Sequence, residues 1–188
     1  MSEKEARESV YCLFCETTQE KSVEENLRKA GYSVISIFAE RKLVKNGQIK
    51  QELRPIIPGY VFFENKIEPN WDEMSNIRHV FYPLKYSNNE KRLRGRDLEF
   101  AQWLKTHNGT IKISKVVDIG RKIKIIEGPL KDYEGKIIKV NKRQKCAAIK
   151  IDGEGLEFVI WLSYEYIDLG EKDVDRLGKP IYSINQDI

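Results

Sequence analysis

Apolar residues along this chain fall in short runs set apart by polar, turn-forming stretches, and the spacing inside each run predicts its element. Val10 to Glu16 (VYCLFCE) is apolar and aromatic, which predicts a strand. Thr17 and Glu20 stand at capping-box spacing, and Val23, Leu27 and Ala30 recur at helical intervals before Gly31, a left-handed stop. Tyr32 to Val44 returns to extended character, and Asn46-Gly47, the pair a type I′ turn favours, predicts a hairpin. Pro58-Gly59 breaks that hairpin before the buried strand Tyr60 to Phe63. Asn70 and Glu73 repeat the capping spacing ahead of a short helix through Trp71, Met74 and Ile77. His79 to Leu84 predicts another strand, placed at an edge by Pro83. Leu98, Ala101 and Leu104 mark a third helix, ended at Asn108-Gly109. The order β-α-β-β-β-α-β-α predicts an α+β sandwich of the ferredoxin-like kind over residues 10–107.

After Asn108 the rhythm changes. Residues 108–117 are polar with no long period, which predicts a linker spanning about 18 Å as a flexible coil. Residues 118–169 hold five short strand-like runs, at 121–126, 135–140, 145–151, 156–161 and 164–167, with glycine-bearing turns between several of them. Five short strands in so few residues predict a small SH3-like β-barrel. Residues 1–9 are expected as a disordered start and 170–188 as a tail.

Composition narrows the class. No apolar run is long enough for a transmembrane helix, and the charged N-terminus lacks the apolar core of a signal peptide. Three cysteines give no disulfide framework, so a reduced, cytoplasmic setting is expected. Thirty-three basic residues against 29 acidic ones give +4, too little to announce a nucleic-acid binder. The distribution says more: from Lys136 to Lys150 there are six basic residues and no acid. That run reads as a solvated edge or as a phosphate-facing patch.

No catalytic set emerges. Cys12 and Cys15 form C-x-x-C, but within a strand positions i and i+3 point to opposite faces, so the two sulfurs cannot share a metal or a disulfide. His79 and His107 are isolated, and no phosphate-cradling loop or nucleophile elbow is present. No enzymatic activity, cofactor or metal is expected. The aromatics are more informative. Tyr60 and Phe62 share a sheet face by alternation, with Tyr11 and Phe81-Tyr82 on neighbouring predicted strands. A sheet covered by helices on one face would leave the other as an exposed apolar patch, which marks a partner site.

Two segments carry a family resemblance. Pro58-Gly59-Tyr60-Val61-Phe62-Phe63 resembles the P-G-Y-V strand of the NusG N-terminal domain. Ile123 to Ile137, with Gly128-Pro129-Leu130, Asp132-Tyr133 and Gly135-Lys136, resembles a KOW motif, in which Gly128-Pro129 makes a tight turn and Gly135 permits a strained backbone. The resemblance spans about residues 10–169 and implies a transcription elongation factor of the NusG family. It further implies a concave apolar face that docks on the clamp of RNA polymerase, here Tyr11, Tyr60, Phe62 and Phe81. The first strand begins Val10-Tyr11 where relatives have an aromatic pair. Asp152-Gly153-Glu154 stands where relatives offer an aromatic that helps bind a ribosomal protein or Rho, which puts both partnerships in doubt. The chain is most similar to LoaP-type antitermination paralogs, which are recruited by an RNA hairpin in a leader transcript.

The expected function is therefore processive antitermination by a monomer without membrane contact. Polymerase would be bound through the first domain. RNA, or non-template DNA, would be bound through Lys142, Arg143 and Lys145 with Arg92, Arg94 and Arg96. The alternative is an RNA- or ribosome-associated KOW protein without polymerase contact.

Overall fold

The structure is a computed structural model describing residues 8–45, 48–120 and 122–167. The Asn46-Gly47 turn, the 170–188 tail and most of the expected disordered start lie outside the described residues. The fold is mixed α/β. Its elements run β1 (Ser9–Cys15), α1 (Glu20–Lys29), β2 (Ser33–Ile35), β3 (Phe38–Lys45), β4 (Gln48–Pro55), β5 (Tyr60–Asn65), α2 (Trp71–Ser75), β6 (Val80–Pro83) and α3 (Gly95–Thr106). They continue with β7 (Thr110–Ile111), β8 (Ser114–Ile119), β9 (Lys122–Glu127), a 3₁₀ segment (Pro129–Lys136), β10 (Ile137–Asn141), β11 (Cys146–Asp152) and β12 (Glu157–Tyr166).

Strands β2, β5, β1 and β6 form one antiparallel sheet in that order, with Pro83 on its edge strand as expected. Register fixes which side chains share a face. Tyr11 lies opposite Phe63, and Cys12 opposite Phe62. One face carries Tyr11, Leu13, Cys15, Val61 and Phe63 against Val23 and Leu27 of α1 and Met74 of α2. The other carries Val10, Cys12 and Phe62 against Phe100, Ala101 and Leu104 of α3. Both faces are covered, so the expected bare face does not exist in that form.

Local chemistry explains the helix ends. Asn70 Oδ1 accepts from the Asp72 and Glu73 N–H groups while its side-chain Nδ2 donates to the Glu73 carboxylate at 2.8 Å, so the expected spacing caps the helix through side-chain atoms of both residues. Thr17 does not cap α1: its N-cap is Gln19, and Glu20 turns instead to accept from the Gly59 N–H at 2.8 Å. That carboxylate ties the helix start to the turn before β5.

Residues 108–117, expected as linker, hold strand structure. Two residues of β7 pair parallel with β3 in a sheet ordered β4-β3-β7, and β8 pairs parallel with β12. Backbone hydrogen bonds, which no hydrophobic period announces, hold this segment. The second half is a five-stranded sheet ordered β10-β11-β12-β8-β9. The two runs expected at 156–161 and 164–167 are one ten-residue strand, β12. Gly128 adopts φ +98°, and a Cβ there would come within 2.7 Å of the Ser114 Cα, so the turn needs glycine. Gly135 meets open space at an unremarkable φ, so its expected strain is absent.

One hydrophobic cluster runs from Val10 and Phe62 through Phe100 to Leu130, Ile149, Ile160 and Tyr164. The two halves therefore share a core rather than hanging on a tether. Among the described residues no helix is long and apolar enough to cross a membrane.

The strand alternation sends Cys12 and Cys15 to opposite clusters. Burial pushes the Cys15 thiol up to about 11 and raises that of Cys12 as well. Thiolate is the nucleophile, so at about pH 8 neither sulfur is reactive. Native protein titrated with a thiol reagent should label Cys146 first and leave Cys12 and Cys15 unmodified until it unfolds. Labelling of all three at equal rates under native conditions contradicts this packing.

Candidate functional site

The richest cluster of polar contacts lies where the β11–β12 turn meets the N-terminal turn of α3. Asp97 is fully buried there. Its carboxylate accepts from the Gly155 N–H at 2.7 Å, the Leu156 N–H at 3.1 Å and the Tyr86 hydroxyl at 2.8 Å. Tyr86 in turn accepts from the Arg94 N–H at 3.3 Å. Burial, and then the bond to Asp97, hold the Tyr86 hydroxyl well above its ordinary range, so it remains a donor. An acid in the first turn of a helix is favoured by the helix dipole, and here it also receives two backbone donors from the other half of the chain. The turn must come close. A Cβ on Gly153 would overlap Asp97 Oδ1, and one on Gly155 would meet Leu84 at 3.0 Å and Tyr86 at 3.1 Å.

Ion pairs flank this contact. Arg94 reaches Glu154 and Glu90 and lies over the Tyr86 ring at 4.4 Å. Arg96 meets Asp152 at 3.3 Å. Such exposed pairs set register more than stability. Aromatic contacts extend the junction along α3. Phe158 sits 5.4 Å from Phe100 and 5.9 Å from Tyr60, and Trp103 packs edge-on to Tyr133 at 4.8 Å. The Trp103 indole donates to Asp132 at 2.9 Å. Burial holds the His107 imidazole below its ordinary range, opposed by Asp132, and the ring packs against Trp103.

The four aromatics expected to form a docking face are not one surface. Tyr11 is 2% exposed and faces α1 and α2, stacked 5.4 Å from Phe63. Phe62 is fully buried beneath α3, 6.0 Å from Phe100. Both are core residues. Phe81 is 59% exposed, as is its neighbour Tyr82 at 57%. Tyr82, Phe14, Tyr60 and Phe158 form a ladder, with successive centroids 4.9, 4.8 and 5.9 Å apart. The apolar strip thus runs across β6, β1 and β5, and its inner end meets the second half at Phe158.

The basic residues divide likewise. Arg94 and Arg96 serve the junction with Glu154 and Asp152 and are not free for phosphate. Lys142 donates to Asp118 at 3.0 Å and to the Gly120 carbonyl. Lys145, at φ +51°, lies 5.8 Å from the Tyr166 ring. Arg92 and Arg143 are exposed with no ion-pair partner among the described residues. Sequence reasoning missed Asp97, Trp103 and Phe158. The available signal was the glycine pair around Glu154, whose spacing permits close backbone approach. Among the described residues no group of His, Cys, Asp and Glu could hold a metal ion.

Matches to known proteins come at two levels. A family model described as "Transcription termination factor nusG" matches residues 9–102, half of the chain. A solved structure described as "Domain interaction in Thermotoga maritima NusG" is similar at 18% identity and TM-score 0.49, covering 84% of this chain and 94% of that one. No curated protein matches.

Removing the Asp97 carboxylate strands two backbone N–H groups and a phenol. Asp97→Ala should therefore weaken the junction by about 3–5 kcal/mol. Gly153→Ala should act in the same direction by steric overlap. Small-angle scattering should show both variants expanded relative to the parent chain, and NMR should no longer show Phe158 against Phe100. Unchanged dimensions in both variants would mean that Asp97 does not hold the junction.

Proposed function

The chain belongs to the NusG family of transcription elongation factors, whose members bind RNA polymerase, and from that premise we propose that it acts as a processive antitermination factor. In this reading residues 10–107 are the ferredoxin-like polymerase-binding unit, and the five strands after Ser114 are a KOW-type, SH3-like barrel. The observation that carries the polymerase reading is the exposed Tyr82, continuous with Phe14 and Tyr60 across β6, β1 and β5 of the family domain, with exposed Phe81 next to it on β6. Large apolar side chains rarely stay in water together without a partner. The factor performs no covalent chemistry. It acts by binding one polymerase conformation better than another, which is a population shift.

Nucleic-acid contact falls to the residues that the fold leaves exposed. Arg143 and Lys145 stand in the acid-free run, with Lys142 held beside them by Asp118, and Arg92 precedes α3. An RNA hairpin in a leader transcript suits such a patch, because A-form RNA is bound mainly through backbone and shape. Arg94 and Arg96 reach phosphate only when Glu154 and Asp152 release them. The Asp152-Gly153-Glu154 turn has a partner within the chain, which supports weak or absent binding of a ribosomal protein or Rho there.

Phe81→Ala with Tyr82→Ala should reduce affinity for purified RNA polymerase at least tenfold and abolish readthrough in a reconstituted transcription assay. Thermal stability should not change, because both rings are exposed. Full readthrough by the double variant moves the docking face elsewhere.

The triple replacement of Lys142, Arg143 and Lys145 by alanine should weaken hairpin RNA binding in gel-shift titrations. The salt slope should flatten by about 0.7–0.9 log units for each phosphate no longer neutralised. Equal affinity at two salt concentrations removes the patch from the mechanism.

A further inference from the structure

The junction has a second feature, which neither polymerase docking nor the Lys142–Lys145 patch uses. The outward face of β12, which carries Val159 and Trp161, lies across from β3 and the end of β4. Between them is a cleft of about 560 Å³, within the roughly 300–1,000 Å³ range of small-ligand sites. One wall is aromatic and apolar, with Trp161 half-buried and Val159 45% exposed. The other holds the Phe38 ring, with Lys21 Nζ 5.1 Å from its centroid. Arg41 and Arg54 complete a cationic rim. Arg54 pairs with Glu52, while Arg41 has no ion-pair partner among the described residues. The carboxylate of Glu20, the only acid lining the cleft among the described residues, is buried and already accepts from the Gly59 N–H. Thr17 and Thr18 present hydroxyls at the mouth, and neither makes a side-chain hydrogen bond among the described residues.

We propose that this cleft binds a nucleotide unit, an unpaired base stacked on Trp161 with its phosphate held by Arg41, Arg54 and Lys21. Arg41 and Lys21 make no ion pair among the described residues and call for an anion, with Arg54 beside them shared with Glu52, and a half-exposed indole offers a flat surface on which any base can stack. The hydroxyls supply donors and acceptors for a base edge or a sugar. An extended acidic peptide fits less well, because Pro55 and Pro58 at the cleft have no N–H to pair with a strand. A base within a duplex cannot enter, since its faces are already stacked. The walls come from the two halves of the chain, so the site exists only while the junction is closed. It depends neither on polymerase docking nor on the Lys142–Lys145 patch, and its failure leaves both standing.

The probes are UMP and GMP by calorimetry and, by fluorescence anisotropy, a labelled ten-residue uridine strand and a blunt, fully paired RNA duplex of two strands. The full chain is compared with Trp161→Leu, Trp161→Phe and the Arg41→Gln/Arg54→Gln pair. The strand or a mononucleotide should bind the parent chain. Trp161→Leu should weaken that binding about tenfold or more, and Trp161→Phe less. The arginine pair should weaken it and flatten its salt dependence. Binding of mononucleotides identifies a free nucleotide as ligand; binding of the strand alone identifies an unpaired residue of nucleic acid. Circular dichroism checks each fold. If Trp161→Leu misfolds, the arginine pair decides. No binding by the parent chain to strand or mononucleotide, or affinity unchanged in the arginine pair, overturns the proposal.

Discussion

A single buried carboxylate organises this molecule. Asp97 makes no ion pair among the described residues, and three neutral donors satisfy it: two backbone N–H groups and a phenol. A charge in such a place is costly unless its acceptors are filled, and two of the donors come from residues nearly sixty positions away. The first half therefore carries an unmet need at the start of α3 that the β11–β12 turn meets. Everything at the junction is placed by that fit: Glu154 beside Arg94, Asp152 beside Arg96, and Phe158 between Phe100 and Tyr60. Leucine at position 97 would strand the same donors, so the site demands an acceptor and not merely a good fit.

The same junction decides what the surface offers. With Phe158 in place, the inner end of the aromatic ladder is closed and its outer end, Tyr82, stays open to solvent. Two arginines counted from sequence as phosphate ligands are committed to acids across the junction. The cationic surface open to a partner is therefore smaller than composition suggests, and it includes Arg92, the Lys142–Lys145 turn and the cleft beside Trp161.

Much of the fold was legible because alternation and capping are local. Strand β1, the Asn70 cap, the Pro83 edge and the opposite facing of Cys12 and Cys15 all follow from a few neighbouring residues. What failed was non-local. Tyr11 and Tyr60 both lie on strands, but the register of β1 against β5 sets them on opposite faces, and a one-residue slip would reverse that. The 108–117 segment reads as linker because β7 and the start of β8 are held by parallel pairing with distant strands. Asp97 reads as an ordinary first-turn acid, since nothing in its own segment reveals that glycine-flanked backbone will reach it. Asp152 and Glu154 could be recognised as unusual, but not as partners of Arg96 and Arg94.

These contacts bind the candidate sites into one equilibrium. A partner that needs only Phe81 and Tyr82 can dock on the closed molecule. One that covers Tyr60 must displace Phe158, and with it the hydrogen bonds to Asp97 come under strain. A ligand held between Trp161 and Phe38 has walls from both halves, so it binds the closed form alone and stabilises it in proportion to its occupancy. Linkage is reciprocal: whatever opens the junction weakens that ligand by the same factor by which the ligand resists opening. Opening would take Arg96 from Asp152 and Arg94 from Glu154, while Glu90 would still hold Arg94. The closed form is held by two hydrogen bonds from the β11–β12 turn to one aspartate together with the apolar core that the two halves share.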